Sequence, residues 1–146
     1  MFKRFVKYSI LAFSLFFAFQ SQIVLAASFD ENLKEIKAEI NRDNLNKAIK
    51  QLKKIIIENE NQQEQINILF GDIYLKINKP QKAEEYYEKS FFTSNQDIEA
   101  LSLIGLAEVR LIQGKLKDAI SYSEQSIAIN SNKIRPKIIL AIAKTR

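Results

Sequence analysis

The sequence feature that limits the possible folds most strongly is a set of three alanines at nearly constant spacing. It occupies positions Ala48, Ala83 and Ala119, which are 35 and 36 residues apart. Each alanine follows by five residues a residue type that tolerates the left-handed backbone at a helix end, namely Asp43, Asn78 and Gly114. An internal period in this range is typical of stacked helical hairpins.

The hydropathy pattern predicts helices along the whole of residues 27–146. Apolar residues recur at intervals of three and four, and no alternating pattern of a half-buried strand is present. Short breaks separate the predicted helices at 43–44, 61–62, 78–80, 94–97, 114 and 130–132. Because such short connections join antiparallel neighbours, we expect an all-α fold of stacked antiparallel helical hairpins.

The first 26 residues have the order of a secretory signal peptide. Three cations precede an apolar stretch of about ten residues, and the small residues Val24 and Ala26 follow. A membrane-spanning helix needs roughly twenty apolar residues. We therefore predict a signal peptide at 1–26, cleaved before Ala27 or, alternatively, after it. The competing interpretation is an uncleaved anchor that continues through residues 23–25.

Cleavage would place the mature domain, residues 27–146, outside the cytoplasm. We expect the periplasm of a bacterium, with release to the exterior as the alternative, and no stable membrane insertion after cleavage. The abundance of Ile, Lys and Asn, which share A/T-rich codons, favours a bacterial source.

Composition excludes most catalytic and metal chemistry. The chain has no Cys and no His, so disulfides, thiol or imidazole nucleophiles, and zinc sites built on these residues are excluded. Its three glycines stand alone, so no phosphate-binding loop is present. Residues 1–26 hold three of the 22 cations and none of the 17 acids, so without them the formal charge falls from +5 to +2. We expect no enzyme activity, no cofactor or metal, and no nucleic-acid binding.

Two segments carry a recognisable repeat pattern. The sequence Phe70-Gly71-x2-Tyr74 is followed by Ala83-x3-Tyr87. It resembles the tetratricopeptide repeat, a unit of 34 residues that forms two antiparallel helices. The next segment fits in part, with Leu103, Leu106, Ala107, Gly114 and Ala119 at matching positions. It departs from the pattern at Arg110, where Tyr is expected, and at Ser123, where Phe is expected.

The resemblance implies a right-handed α-solenoid in a small exported bacterial member of the family. The repeats would span about 29–62, 64–97 and 100–133, and a capping helix would span 133–146. The first helix of each repeat would line a concave groove that binds a protein partner. The predicted groove residues are Lys37, Asn41, Asp72, Lys76, Glu108 and Ile112. The implied function is a non-catalytic scaffold or adaptor in the cell envelope, and the alternative is a structural or regulatory subunit of a cell-wall or envelope enzyme complex.

The last predicted helix has two apolar faces. Ile134, Ile138, Ala141 and Ile142 share one face, which we expect to cover the third hairpin. Ile139, Leu140 and Ala143 point elsewhere, and we predict that they form an association face. This face would pair with a second copy of the chain or with another protein.

The predicted processing is testable by N-terminal sequencing of protein from an envelope fraction. We expect the sequence to begin at Ala27, because Val24 and Ala26 are small enough for a signal peptidase. Replacement of Ala26 by Trp should leave the precursor uncleaved. A wild-type chain that keeps Met1 would support the uncleaved anchor instead.

Overall fold

The computed structural model describes residues 29–146, which form seven helices and no strand. The helices are α1 (29–41), α2 (Leu45–Leu52), α3 (Glu60–Lys76), α4 (Pro80–Glu88), α5 (Gln96–Ile112), α6 (Leu116–Ile129) and α7 (Arg135–Lys144). The all-α prediction is confirmed, whereas the handedness of the stack stays a prediction. The predicted signal peptide, 1–26, lies outside the described residues.

Within residues 29–146, no helix combines the length and the hydropathy that crossing a bilayer requires. The chain divides into two compact units, and the boundary lies between Ile56 and Ile57.

In the first unit, α1 and α2 bury apolar residues at helical spacing. Leu33, Ile36 and Ile40 are buried on α1, and Ala48 and Leu52 are buried on α2. This spacing of three and four places each set on one face of its helix. The two helices therefore form the hairpin that the sequence predicts.

A buried carboxylate lies near the turn of this hairpin. Glu39 accepts hydrogen bonds from Asn44 at 2.8 Å, Lys47 at 3.0 Å and Arg42 at 3.3 Å. The hydrogen bonds from Asn44 and Lys47 lower the pKa of Glu39. The ammonium group of Lys47 is thus bonded within its own hairpin.

The predicted left-handed residues are confirmed at three helix ends. Asp43, Asn78 and Gly114 have φ angles of 64°, 57° and 73°. The predicted break at 61–62 is wrong, because α3 already begins at Glu60. The side chain of Asn59 caps it by accepting a hydrogen bond from the backbone N–H of Gln62 at 3.0 Å.

The second unit contains two helical hairpins and α7. Helix α3 packs on α4, and α5 packs on α6, while α4 and α6 each contact the next helix along the chain. Buried hydroxyls link neighbouring segments: Ser90, just after α4, donates to the carbonyl oxygen of Glu64 on α3 at 3.1 Å, and Ser126 of α6 donates to that of Ala100 on α5 at 3.0 Å. Ala83 and Ala119, both of the 35–36-residue period, are fully buried in these contacts.

Tyr87 of α4 fills the space between α3 and α5. Its side chain is fully buried. A Cβ atom added at Gly71 of α3 would lie 2.5 Å from Cε1 of the Tyr87 ring, and one added at Gly105 of α5 would lie 2.5 Å from Cε2. Carbon atoms that are not bonded to each other do not approach so closely. The two glycines are therefore required by the tyrosine ring and not by their own backbone.

The two faces of α7 are reversed relative to the sequence prediction. Ile139 and Ala143 of the predicted association face are buried, and Leu140 is half-buried. Ile139 packs against Ile104 and Ala107 of α5. A helical wheel shows two apolar faces but does not say which one a neighbouring helix covers, and here the third hairpin covers the side of Ile139.

The contact between Tyr87 and the two glycines predicts the sign of the change in stability when either glycine is replaced by alanine. Gly71→Ala and Gly105→Ala should each lower the free energy of unfolding by about 1–3 kcal/mol, because the added methyl group displaces the ring. In a helix without such a contact, the same change stabilises by about 1 kcal/mol. Urea unfolding followed by circular dichroism measures the effect.

The matched control for this prediction is the double variant Gly105→Ala with Tyr87→Leu. Its loss of stability should be smaller than the sum of the two single losses, because the leucine removes the ring that the methyl group meets. If either glycine variant is more stable than the wild type, the ring does not constrain the helices.

Candidate functional site

The second unit carries a cluster of charged side chains contributed by three helices. Arg135 at the start of α7 donates two hydrogen bonds to the carboxylate of Glu108 on α5, at 3.0 and 2.6 Å. The same guanidinium lies 3.7 Å from Oδ1 of Asp72 on α3. The two-point contact with Glu108 is the arrangement in which arginine binds a carboxylate most strongly. Arg135 thus joins α7 to both α3 and α5.

Asp72 connects this cluster to the core. The hydroxyl of Tyr87 donates a hydrogen bond to Oδ1 of Asp72 at 2.8 Å. Burial raises the pKa of Asp72 above its ordinary value of 3.8, and the positive charge of Arg135 opposes that rise. Burial also raises the pKa of Tyr87, and the adjacent carboxylate raises it further. The hydroxyl therefore stays protonated and keeps its role as a donor.

Arg135 remains a cation at every pH at which the protein is folded. Burial alone would lower its pKa, but the hydrogen bonds and charge of Glu108, together with the charge of Asp72, raise it. All three charged side chains remain in contact with water, with exposed fractions of 49% for Arg135 and 26% for each acid. The cluster can bind polar groups of a ligand but offers no activated nucleophile. No group of three or more acidic residues that could hold a metal is found within residues 29–146.

The structure brings together part of the predicted groove. Asp72 and Glu108 meet at one guanidinium, and Lys76 and Ile112 lie one helical turn further along α3 and α5. Ile112 is 55% exposed, and Lys76 is also exposed. We call these four residues the α3–α5 face. Lys37 and Asn41 are exposed on α1 in the first unit, and their part in the groove stays a prediction.

Arg135 is the residue of this cluster that the sequence does not predict. It stands in the first turn of α7, where the helix dipole disfavours a positive charge. That unfavourable placement is the one signal in the sequence that the cation has acidic partners elsewhere. Nothing local indicates that those partners are Asp72 and Glu108.

Three aromatic side chains of α3 and α4 form a stack at the edge of the core. Tyr86 of α4 stacks on Phe70 and on Tyr74 of α3, with ring centroids 5.0 and 5.4 Å apart. All three rings are half-buried, and Lys89 lies 4.7 Å above the Tyr86 ring. Ile66, one helical turn before Phe70 on α3, is buried.

The comparison with known families identifies the hairpin that contains Tyr87. The family described as the tetratricopeptide repeat matches residues 64–91, which include most of α3 and all of α4. Residues 64–91 thus have the sequence pattern of a tetratricopeptide repeat. No curated protein and no solved structure shows significant similarity to the chain.

Proteins built from tetratricopeptide repeats are generally non-catalytic, and the repeat generally mediates protein–protein binding.

The two departures from the pattern that lie beyond residues 64–91 are accommodated by polar contacts. Arg110, in place of Tyr, forms an ion pair with Glu84 of α4 at 2.5 Å. Burial alone would raise the pKa of Glu84, but hydrogen bonds from Arg110 and Gln113 lower it. Ser123, in place of Phe, is buried and donates to the carbonyl oxygen of Ala119 at 2.7 Å.

The raised pKa of Asp72 predicts how stability changes with pH. An acid with a higher pKa in the folded protein binds its proton more tightly when folded, so its contribution to stability grows as the pH falls. We compare the free energies of unfolding of the wild type and Asp72→Asn from about pH 7 to about pH 4. The difference should shift in favour of the wild type as the pH falls and should still be growing at the lower end of this range, because the ordinary pKa of the group is 3.8.

The same titration in an Arg135→Gln background serves as the control. Without the guanidinium, the hydrogen bond from Tyr87 still opposes the effect of burial on the pKa of Asp72, but the larger opposing effect is lost, so the shift toward the wild-type Asp72 should increase. If the difference moves toward Asp72→Asn on acidification, the ion pair outweighs burial and the pKa of Asp72 is lowered.

Proposed function

We propose that this chain is a non-catalytic scaffold of the bacterial cell envelope that binds a partner protein through the α3–α5 face. The observation that carries the proposal is the tetratricopeptide repeat at residues 64–91, since this repeat generally mediates protein–protein binding. The order of charged, apolar and small residues in 1–26 supports export.

The composition of the α3–α5 face favours a polypeptide as the partner. Asp72 and Glu108 hold their carboxylates in fixed positions, because both contact Arg135. The exposed Ile112 lies one turn away and offers apolar surface beside these charges. A face that combines fixed polar groups with an apolar contact suits an extended peptide, which presents both backbone polar groups and side chains.

Photo-cross-linking in cells tests the proposed face. A photoreactive benzophenone amino acid placed at position 112, in the full chain, should give a discrete cross-linked product. The matched control carries the same group at Lys117, which is exposed on α6 and lies outside the proposed face. The product should be absent or much weaker at the control position, because the partner contacts α3 and α5.

Substitutions at exposed positions of the face complete the test. In a chain that carries the photoreactive group at a neighbouring position, Lys76→Ala with Ile112→Ser should weaken the cross-link by about tenfold. The unfolding midpoint should stay nearly unchanged, because substitutions of exposed residues have small effects on stability. Charge reversal of Asp72 or Glu108 is a poorer test, because it also breaks the contacts with Arg135. Equal cross-linking at 112 and 117 would show that the α3–α5 face is not the binding site.

A further inference from the structure

Helix α7 has a row of exposed apolar side chains that lie opposite its buried side. Ile139 and Ala143 face the hairpin formed by α5 and α6 and are buried. On the other side, Ile134 is 70% exposed, Ile138 52% and Ile142 37%. These three residues are four positions apart, so they lie one above the other along the helix. We call Ile134, Ile138 and Ile142 the α7 row.

Helix α5 differs from α7 because its apolar residues are covered on two sides along most of its length. One side of α5, with Ile98, packs in the cluster around Tyr87. Its other side, with Ile104 and Ala107, packs against Ile139 of α7. Both sides of α5 are thus covered except at its last residue, Ile112, whereas α7 has one apolar side in contact with water along its length. A contiguous apolar row that is exposed and bordered by charges is a common mark of an interaction surface.

Within the segment that carries the α7 row, the charged residues all have one sign. Residues 133–146 contain five lysines and arginines and no acid. Three of these cations pair with acids of other helices: Arg135 binds Glu108, Lys133 lies 3.5 Å from Asp97, and Lys144 lies 3.2 Å from Glu124. Lys137 is exposed and borders the row. Apolar side chains beside an exposed lysine, in a segment without acids, match the chemistry of an anionic surface.

A second copy of the chain fits this surface poorly. Two α7 helices that met along their rows would place the cations of one copy next to the cations of the other. The row is also small, because three partly exposed isoleucines offer far less than the ~800 Å² that each partner buries in a stable protein complex. A lipid bilayer needs no complementary shape, and each inserted side chain contributes independently.

We propose that the α7 row docks on the surface of an anionic phospholipid bilayer, with α7 parallel to the membrane plane. The isoleucines insert at the boundary between headgroups and acyl chains, and Lys137 lies at the level of the phosphates. Association is peripheral and reversible, and it weakens with salt because the cations act through screened charge. This docking surface is independent of the α3–α5 face.

The experiment uses a fluorescent label that reports its local environment. The apolar residues 10–19 can themselves bind vesicles, so total binding does not report on α7. Because the chain has no Cys, Ile138→Cys provides a single attachment site for an NBD label in the full chain. Ile112→Cys, at a position of nearly equal exposure on α5, is the matched control. Vesicles contain phosphatidylcholine alone or with one-quarter phosphatidylglycerol.

We expect the label at 138 to shift to shorter wavelength with phosphatidylglycerol vesicles, and the label at 112 to stay unchanged with either vesicle. Lys137→Gln with Arg146→Gln in the Ile138→Cys chain should raise the vesicle concentration at half-maximal shift about tenfold, because two cations near the surface are lost. These substitutions lie outside the core, so they test the proposal without disturbing the fold.

Several results would overturn the proposal. An equal shift with phosphatidylcholine alone, or no shift at 138, would exclude docking on anionic lipid. Short-wavelength emission before vesicles are added would mean that a segment of protein already covers the row. A disulfide that forms readily between two unlabelled Ile138→Cys chains would assign the row to a second copy. A shift caused by an acidic amphipathic peptide but not by vesicles would assign it to a partner helix.

Discussion

The structure of the second unit depends on the placement of one aromatic ring. Tyr87 is fully buried, and its ring occupies the space that side chains at Gly71 and Gly105 would otherwise take. Its hydroxyl binds Asp72, which brings a carboxylate to the surface of α3 in a fixed position. The ring therefore controls both how closely α3 and α5 approach and where the polar groups of the α3–α5 face lie.

The charged cluster is the surface continuation of that core contact. A partly buried carboxylate is costly unless it is paired, and Arg135 pairs with both Asp72 and Glu108. These contacts also hold α7 against α3 and α5. The ion pair of Arg110 and Glu84 likewise joins α5 to α4, and Arg110 stands where the repeat pattern has a tyrosine. Packing and surface chemistry are thus coupled throughout the second unit.

The sequence predicted the local features well and the long-range ones poorly. The helix ends at Asp43, Asn78 and Gly114 follow from residue type alone, since each adopts a left-handed backbone. The partners of Arg135 cannot be predicted from residue type, because Glu108 lies 27 residues away in sequence. The covered side of α7 was predicted wrongly for a related reason. Both of its faces are apolar, so the choice rests on how the chain between α6 and α7 orients the helix.

The distance between α3 and α5 is the most direct test of the role of Tyr87. Spin labels at Lys76→Cys and Ile112→Cys are unambiguous because the chain has no native Cys, and electron paramagnetic resonance measures the distribution of distances between them. We expect one narrow distribution for the wild type, and a shifted or broadened one for Tyr87→Leu with helix content retained. Identical distributions in the two proteins would show that the ring does not set the geometry of the face.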